Sequence, residues 1–437
     1  MLTIENFSEA RQFLKRNNIT RSIISPQIQS RIKEIFGEDL SIEAVTKRII
    51  EEVRENGDSA IRRYTKDIDG ITVKDIEVSN KEITETYNTV DNKLLSALEL
   101  AARRIEDYHI ACKPKIGISY VNTMLGRQIR PLNKVGLYIP GGTAAYPSTV
   151  LMTAIPAKVA GVSEVIMASP PNREGNIPAS TLAAAKIANV NSVLKIGGAQ
   201  AISALAYGTE SVPRVDKICG PGNIFVTMAK KMVYGAVDID GLEGPSEILV
   251  VADEMANPVL CTADLLAQAE HDILAIPILI TTSFELAKLV DIEITKQIKN
   301  LERRAIARSA IENGVIIIVE NINQAVELIN LYAPEHVSLM VAGAIELIPV
   351  IHNAGCIFIG DNSPVALGDY IAGPSHVLPT GGNARFSSPL GVDDFLKITD
   401  IISSDEQMIK ELGPAAMLIA ESEGFGGHAK AIELRLK

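Results

Sequence analysis

The chain has 437 residues, room for two or three domains around a well-buried core. With 47% hydrophobic and 22% charged residues it is an ordinary soluble globular protein, and a net charge of −11 argues against a broad nucleic-acid surface. No apolar run approaches a membrane span, and no basic region precedes an apolar core at Met1–Glu5. Neither a membrane segment nor a signal peptide is therefore expected, and the cytoplasm is the expected compartment.

Residues 1–27 have the pattern of a helical arm, with Ser8 as its cap and Ser25-Pro26 as its end. Residues 40–112 are mostly helical. Ser41 precedes the stripe Ile42, Val45, Ile49 and Val53, Gly57 stops the run, and Asp58 caps a second helix. A long helical stretch from Ser79 to Lys113 carries Leu94, Leu95, Leu98, Ala101, Ala102 and Ile105. His109 stands alone there, which favours a structural role. The four cysteines (Cys112, Cys219, Cys261 and Cys356) form no Cys-x-x-Cys pair. Reduced thiols are expected, and a metal would be held by imidazole, carboxylate and amide groups.

At Val135 the pattern changes to buried strands alternating with helices: 135–139, 165–168, 192–196 and 217–219. This is the signature of a parallel sheet built from crossover units. Three of these strands run into Gly-rich turns that open helices: Pro140-Gly141-Gly142-Thr143, Gly197-Gly198-Ala199-Gln200 and Gly220-Pro221-Gly222-Asn223. Such turns let a backbone approach a phosphate at a helix N-terminus. They also occur as plain turn chemistry, and neither the dinucleotide fingerprint nor the P-loop motif is present. On pattern alone, both readings of residues 138–245 stay open.

A second α/β block follows Gly244-Pro245-Ser246, with strands at 247–251, 277–280, 315–319 and 356–359. Between the first two lies a helix that Asn257 caps and Pro258 opens. At about 100° per residue its Asp264, Gln268 and His271 share one face. That face suits a metal ion or polar ligand, or merely a His near a helix C-terminus. The strand-end loops of this block collect further chemistry: Glu335-His336 after Pro334, and Asp369 in Leu367-Gly368-Asp369-Tyr370. Residues 373–382 have the composition of an ordered loop. The segment 391–437 is helical and ends in Glu423 and His428 around glycines, either a helix-breaking turn or a tail reaching into a site, its own or a neighbour's.

Together these segments resemble the histidinol dehydrogenases over nearly the whole chain. The carrying motifs are Tyr138 to Met152, Gly197 to Ile202, Gly220 to Thr227, Gly244 to Ile248, Ala263 to Asp272, Ala333 to His336, Leu367 to Tyr370 and Glu423 to His428. The expected fold is α/β: two Rossmann-like parallel-sheet domains, a helical N-terminal arm and a small helical C-terminal tail domain. The expected division is arm 1–27, a first α/β domain of 28–137 plus 246–390 carrying most of the active site, a nucleotide-binding domain of 138–245, and a tail of 391–437. The resemblance implies a zinc-dependent homodimer that oxidises L-histidinol through the aldehyde to L-histidine, using NAD twice. It implies zinc ligands Gln268, His271, Asp369 and His428, one ion per subunit. Glu335 and His336 would be the proton-transfer pair, and Tyr138, Gln200 and Asn223 the NAD contacts. Ser246, Gln268, His271, His336, Asp369, Glu423 and His428 would meet substrate, with Glu423 and His428 supplied to the partner's site. Two other readings compete: a zinc and NAD dehydrogenase of another small amino alcohol or diol, and a non-catalytic zinc-binding structural protein. A thiohemiacetal on Cys219 or Cys356 is a further route for the aldehyde step.

Overall fold

The computed structural model describes residues 1–15, 26–122, 124–141 and 144–437; the expected break at Ser25 and the turn residues Gly142 and Thr143 lie outside them. Its strands are β1 (Leu2–Ile4), β2 (Gly117–Tyr120), β3 (Leu125–Pro131), β4 (Lys134–Tyr138), β5 (Glu164–Ala168), β6 (Ser192–Leu194), β7 (Lys217–Cys219), β8 (Asp238–Ile239), β9 (Glu247–Ala252), β10 (Ile276–Thr281), β11 (Val315–Ile318), β12 (His336–Met340), β13 (Cys356–Ile359) and β14 (Leu396–Ile402). The chain divides into two compact units, one of Met1–Lys113 with Leu132–Phe395, the other of Pro114–Pro131 with Leu396–Lys437.

The first unit holds two all-parallel sheets. One has the order β6-β5-β4-β7-β8, the other β1-β11-β10-β9-β12-β13. With β1 set aside, both follow the same winding. The first three strands in sequence run outward to one side, then the fourth and fifth lie on the other. Each sheet thus has a switch point between its first and fourth strands, β4/β7 in one and β9/β12 in the other. β9 is buried along its whole length and apolar beyond Glu247, as suits a central strand covered on both faces.

The N-terminus differs from the expected arm. Leu2–Ile4 pairs with β11, and the helix that follows, Phe7–Leu14, is capped by Asn6 accepting from Glu9 N–H rather than by Ser8. Its buried Ala10 and Leu14 join the core of the β9-containing sheet. The long helix Ile42–Asp69 is capped by Ser41 as expected, but Gly57 kinks it rather than ending it, with φ +52. The Glu210 carboxylate receives Asp58 N–H at the kink, and a Cβ on Gly57 would sit 2.2 Å from Glu210 Oε2. The stretch 79–113 is two helices, Asn80–Tyr87 and Asn92–Cys112, separated where Asp91 caps Lys93 and Leu94. The stripe Val45, Ile49, Val53, Ile61 and Tyr64 packs on Ala201, Ile202, Leu205 and Val226. Side-chain packing therefore joins the helix Ile42–Asp69 to the 134–239 sheet. Small alanines facing a branched apolar stripe let the helices approach closely.

The second unit contains an antiparallel sheet, β14-β3-β2, and two helices, Glu406–Ser422 and Gly426–Leu436. The expected helical tail thus opens with a strand. Among the described residues no helix is long and apolar enough to cross a membrane.

His109 is buried on the helix Asn92–Cys112 with Nε2 lacking a hydrogen-bond partner, and burial holds the imidazole down at about 4. Its ordinary value is about 6.5, so between those limits the unfolded chain binds a proton that the folded chain refuses. Stability should fall by about 2 kcal/mol as pH drops from 6.5 toward 4. Urea titrations of the parent and of His109→Leu across that range check this: the variant should lose that part of the slope.

Candidate active site

Glu335 and His336 are held by a backbone clamp. Glu335 precedes β12 and His336 is its first residue; Glu247 is the first residue of the adjacent strand β9. The Glu247 N–H donates to Glu335 Oε2 at 2.8 Å, and the Glu247 carbonyl lies 3.1 Å from His336 Nδ1. A carbonyl only accepts, so Nδ1 carries a proton. The Glu335 carboxylate also lies 3.6 Å from Nδ1, and Nε2 lies 3.7 Å from Asp369 Oδ1. Both members of the pair are buried. Burial would push the His336 imidazole down, but Glu335 and Asp369 outweigh it and hold it well above its ordinary value.

Asp369 lies near the end of the short helix Val365–Tyr370 that follows β13. Burial would raise its carboxyl, but His336, aided by the charges of His376 and His271, keeps it below the usual range, so it is an anion. His376 fixes its backbone: Nδ1 donates to the Asp369 carbonyl at 2.6 Å, while Nε2 lies 3.2 Å from Thr149 Oγ1. Thr149 belongs to the helix Pro147–Ala160 behind β4, so this imidazole bridges the layers of the two sheets. His336, Asp369 and His376 line one cavity of about 330 Å³, with Cys356 and Phe358 in its wall.

Gln268 and His271 come from the end of the helix Pro258–Ala269, capped by Asn257 and opened by Pro258 as expected, and from the turn beyond it. That helix packs against the Val365–Tyr370 helix. Gln268 is 2% exposed and its Nε2 has no hydrogen-bond partner. His271 is exposed, and its charge acts on Asp369 and His376. Asp264, on the same helical face, instead accepts from Ser338 Oγ at 3.4 Å, and burial pushes it up to about 6. Among the described residues no group of three or more His, Cys, Asp or Glu side chains could hold a metal ion by itself. Asp369, His271 and Gln268 offer donor types that zinc takes, a carboxylate, an imidazole and an amide, on or just beyond two helices that pack together. His428 and Glu423 lie in the second unit, both solvent-exposed, on either side of Gly424 at φ +81. Ser246 is half-buried beside Glu247, and its carbonyl accepts from Ile276 N–H.

Tyr138, Gln200 and Asn223 come together elsewhere. Tyr138 ends β4, Gln200 lies in the first turn of the helix Gly198–Tyr207 after β6, and Asn223 caps the helix Ile224–Val233 after β7. All three line one cavity of about 460 Å³ at the carboxyl edge of the sheet, over the β4/β7 switch point. The Tyr138 hydroxyl accepts from Gly198 N–H at 3.1 Å. Asn223 Oδ1 is committed to the N–H groups of Phe225 and Val226, leaving its Nδ2 for a ligand. Gln200 is fully buried, and neither its Nε2 nor its Oε1 has a partner. A buried amide with both ends unmet is a costly arrangement that a bound polar group would relieve.

The β9-containing sheet is used differently from the expectation of loops after strands. His336 and Glu247 stand at the amino ends of β12 and β9, and the helix bearing Gln268 returns to that edge. Sequence reasoning missed Glu247, because it acts through its peptide, and His376, which looked like loop; its signal was being one of only six histidines in the chain. Cys219, Cys261 and Cys356 are not activated thiols. Burial pushes Cys219 well up, Cys261 to about 12, and Cys356 above its ordinary value.

Comparison with known proteins agrees with the geometry. Residues 36–436 match the histidinol dehydrogenase family. The chain is 48% identical over 439 residues to histidinol dehydrogenase of Dehalococcoides mccartyi, covering 100% of both. It is 50% identical over 413 residues to that of Clostridium acetobutylicum, covering 93% of this chain and 95% of the other. The crystal structure of histidinol dehydrogenase from Elizabethkingia anophelis superposes with a TM-score of 0.91 at 34% identity, over 100% of this chain and 98% of that one. With the match running through both sheets and the second unit alike, the chain belongs to the histidinol dehydrogenase family.

Proposed function

We propose that the protein oxidises L-histidinol to L-histidine through the aldehyde in two NAD-linked steps, at a zinc-dependent site. The observation that carries this is the Glu335–His336 pair, held by one peptide and facing an anionic Asp369 across less than 4 Å. The 134–239 sheet is the nucleotide half, with NAD in the cavity of Tyr138, Gln200 and Asn223. The β9-containing sheet is the substrate half. Gln268, His271 and Asp369 would hold the zinc ion, and the fourth ligand would be His428 of the partner subunit in a homodimer. Glu423 would reach the same site from the tail, and Ser246 would contact substrate.

When bound, zinc supplies Lewis-acid polarisation and a fixed point for the substrate's amine and imidazole, and NAD supplies the hydride acceptor. The chain's own residues handle the protons. His336 Nε2 takes the alcohol proton in the first oxidation, its ring held in that tautomer by the Glu247 carbonyl. Glu335 takes a proton from the water that hydrates the aldehyde. Burial of the pair keeps bulk water from the reacting carbon.

Adding histidinol and NAD to the zinc-loaded protein should yield two NADH per histidine formed. One NADH, or no preference for histidinol over other amino alcohols, would overturn the assignment. His336→Gln should lower kcat about 10²–10⁴-fold with little change in the histidinol KM. Glu335→Gln should slow oxidation of supplied aldehyde more than oxidation of the alcohol, as stopped-flow NADH traces would show. Asp369→Asn should lower bound zinc measured by elemental analysis. Since neither thiol is activated, Cys219→Ser with Cys356→Ser should retain acid production, measured by chromatography of the histidine formed.

A further inference from the structure

One fully buried ammonium holds the Gly220–Asn223 turn. Lys230, on the helix Ile224–Val233, is 0% exposed. Its Nζ lies 2.5 Å from Asp240 Oδ1, 2.7 Å from Glu243 Oε2 and 3.0 Å from the Gly220 carbonyl. Asp240 Oδ2 in turn accepts from Gly220 N–H at 2.6 Å. Both polar groups of Gly220 are thereby held by this cluster. Gly220 has φ +114, and a Cβ there would sit 2.1 Å from the Tyr138 carbonyl, so the turn is pressed onto the residue that ends β4. The same turn leads into Asn223.

The other side of the cluster belongs to the connection between the sheets. Asp240 and Glu243 lie on the segment that leaves β8 at the carboxyl edge of one sheet and enters β9 at the amino edge of the other. Thr227 Oγ1 donates to the Glu243 carbonyl at 3.1 Å, so the helix grips this segment twice. From Glu243 the chain runs through Gly244, whose N–H donates to Thr380, and Ser246 to Glu247, whose carboxylate receives Gly381 N–H at 3.3 Å. Glu247 is the peptide that clamps Glu335 and His336. Burial, with Asp240 alongside, pushes the Glu243 carboxyl up against the opposing pull of Lys230.

We propose that Lys230, with Asp240 and Glu243, is a positioning residue that fixes the distance and register between the Gly220–Asn223 turn and the strand carrying Glu247. Replacing a buried ion cluster with apolar side chains is often neutral for stability. Its value here is geometric, because hydride transfer demands that two separately bound partners meet within a few tenths of an ångström. The proposal rests on the reading of the Tyr138–Gln200–Asn223 cavity as the NAD site.

The test compares Lys230→Met, Lys230→Arg, Glu243→Gln and Gln200→Ala in the zinc-loaded protein. Lys230→Met should raise the NAD KM at least tenfold and lower kcat, leaving the histidinol KM within about threefold. Lys230→Arg should recover part of both. Hydrogen exchange should rise together in 219–224 and 240–247, which a local packing defect would not produce. A folded Lys230→Met with an NAD KM and kcat within twofold of the parent overturns the proposal. If that variant fails to fold, Glu243→Gln, which keeps the volume and the Lys230–Asp240 pair, decides: a three- to tenfold rise in NAD KM supports it and unchanged constants refute it. Gln200→Ala separates the two failures. If it leaves the NAD KM unchanged, the cavity reading fails; if it raises the KM while the Lys230 and Glu243 variants do not, the positioning role fails.

Discussion

The peptide of Glu247 sits where three strands meet: β9 carries it, β10 pairs beside it, and β12 begins opposite it. Its N–H and carbonyl are pointed by the sheet, and those two groups hold Glu335 and His336. A side-chain clamp could swing between rotamers. A backbone clamp moves only if the central strand of a six-stranded sheet moves, and every residue of that strand is buried. The acid–base pair is therefore as rigid as the core. The choice of nitrogen follows from the same constraint, since the ring must donate from Nδ1 to the carbonyl and offers Nε2 to the cavity.

The two sheets share one winding order but work from opposite edges. The half proposed for the nucleotide has its cavity at carboxyl ends over its switch point, in keeping with open α/β sheets in general. The half proposed for the substrate places Glu247 and His336 at amino ends beside its own switch point. A chain that leaves one sheet at its carboxyl edge and enters the next at its amino edge brings those two edges to the same connecting segment. Residues 240–246 are that segment, and His376 with Thr149 makes a second bridge between the layers. Duplicated topology thus yields two unlike half-sites without any change in strand order.

Much of this was legible from local chemistry. The buried strands from Val135 onward, the Asn257-Pro258 helix start, the Ser41 cap and the Gly57 interruption follow from rules that act over four or five residues. What escaped was set by distant partners. Gly57 looks like a stop until Glu210 arrives to satisfy Asp58 N–H across the kink. Leu2–Ile4 is too short to show alternation and becomes a strand only beside β11. Strands β2, β3 and β14 are largely exposed on both faces, so no apolar periodicity announces them. At the site, the residue types of Glu335, His336, Gln268 and Asp369 were visible, because their chemistry is carried by side chains. Glu247 was not, because its part is played by a peptide that every residue possesses. Lys230 was hidden for a related reason, since a lysine on an amphipathic helix is expected to face water.

Asp369 is the shared element of the site. Its carboxylate faces His336 Nε2 at 3.7 Å and, together with Glu335, holds the imidazole well above its ordinary value. A charged imidazole has no lone pair for an alcohol proton. On the proposed reading the same carboxylate is a zinc ligand, and a carboxylate committed to a divalent cation no longer favours a second cation beside it. On that reading a bound cation would lower the His336 pKa, as expected when metal and proton compete for one carboxylate. His376 keeps the Asp369 backbone in place throughout, so the carboxylate can change partners without leaving the cavity. On the proposed reading, base strength at His336 and cation occupancy at Asp369 would be one equilibrium.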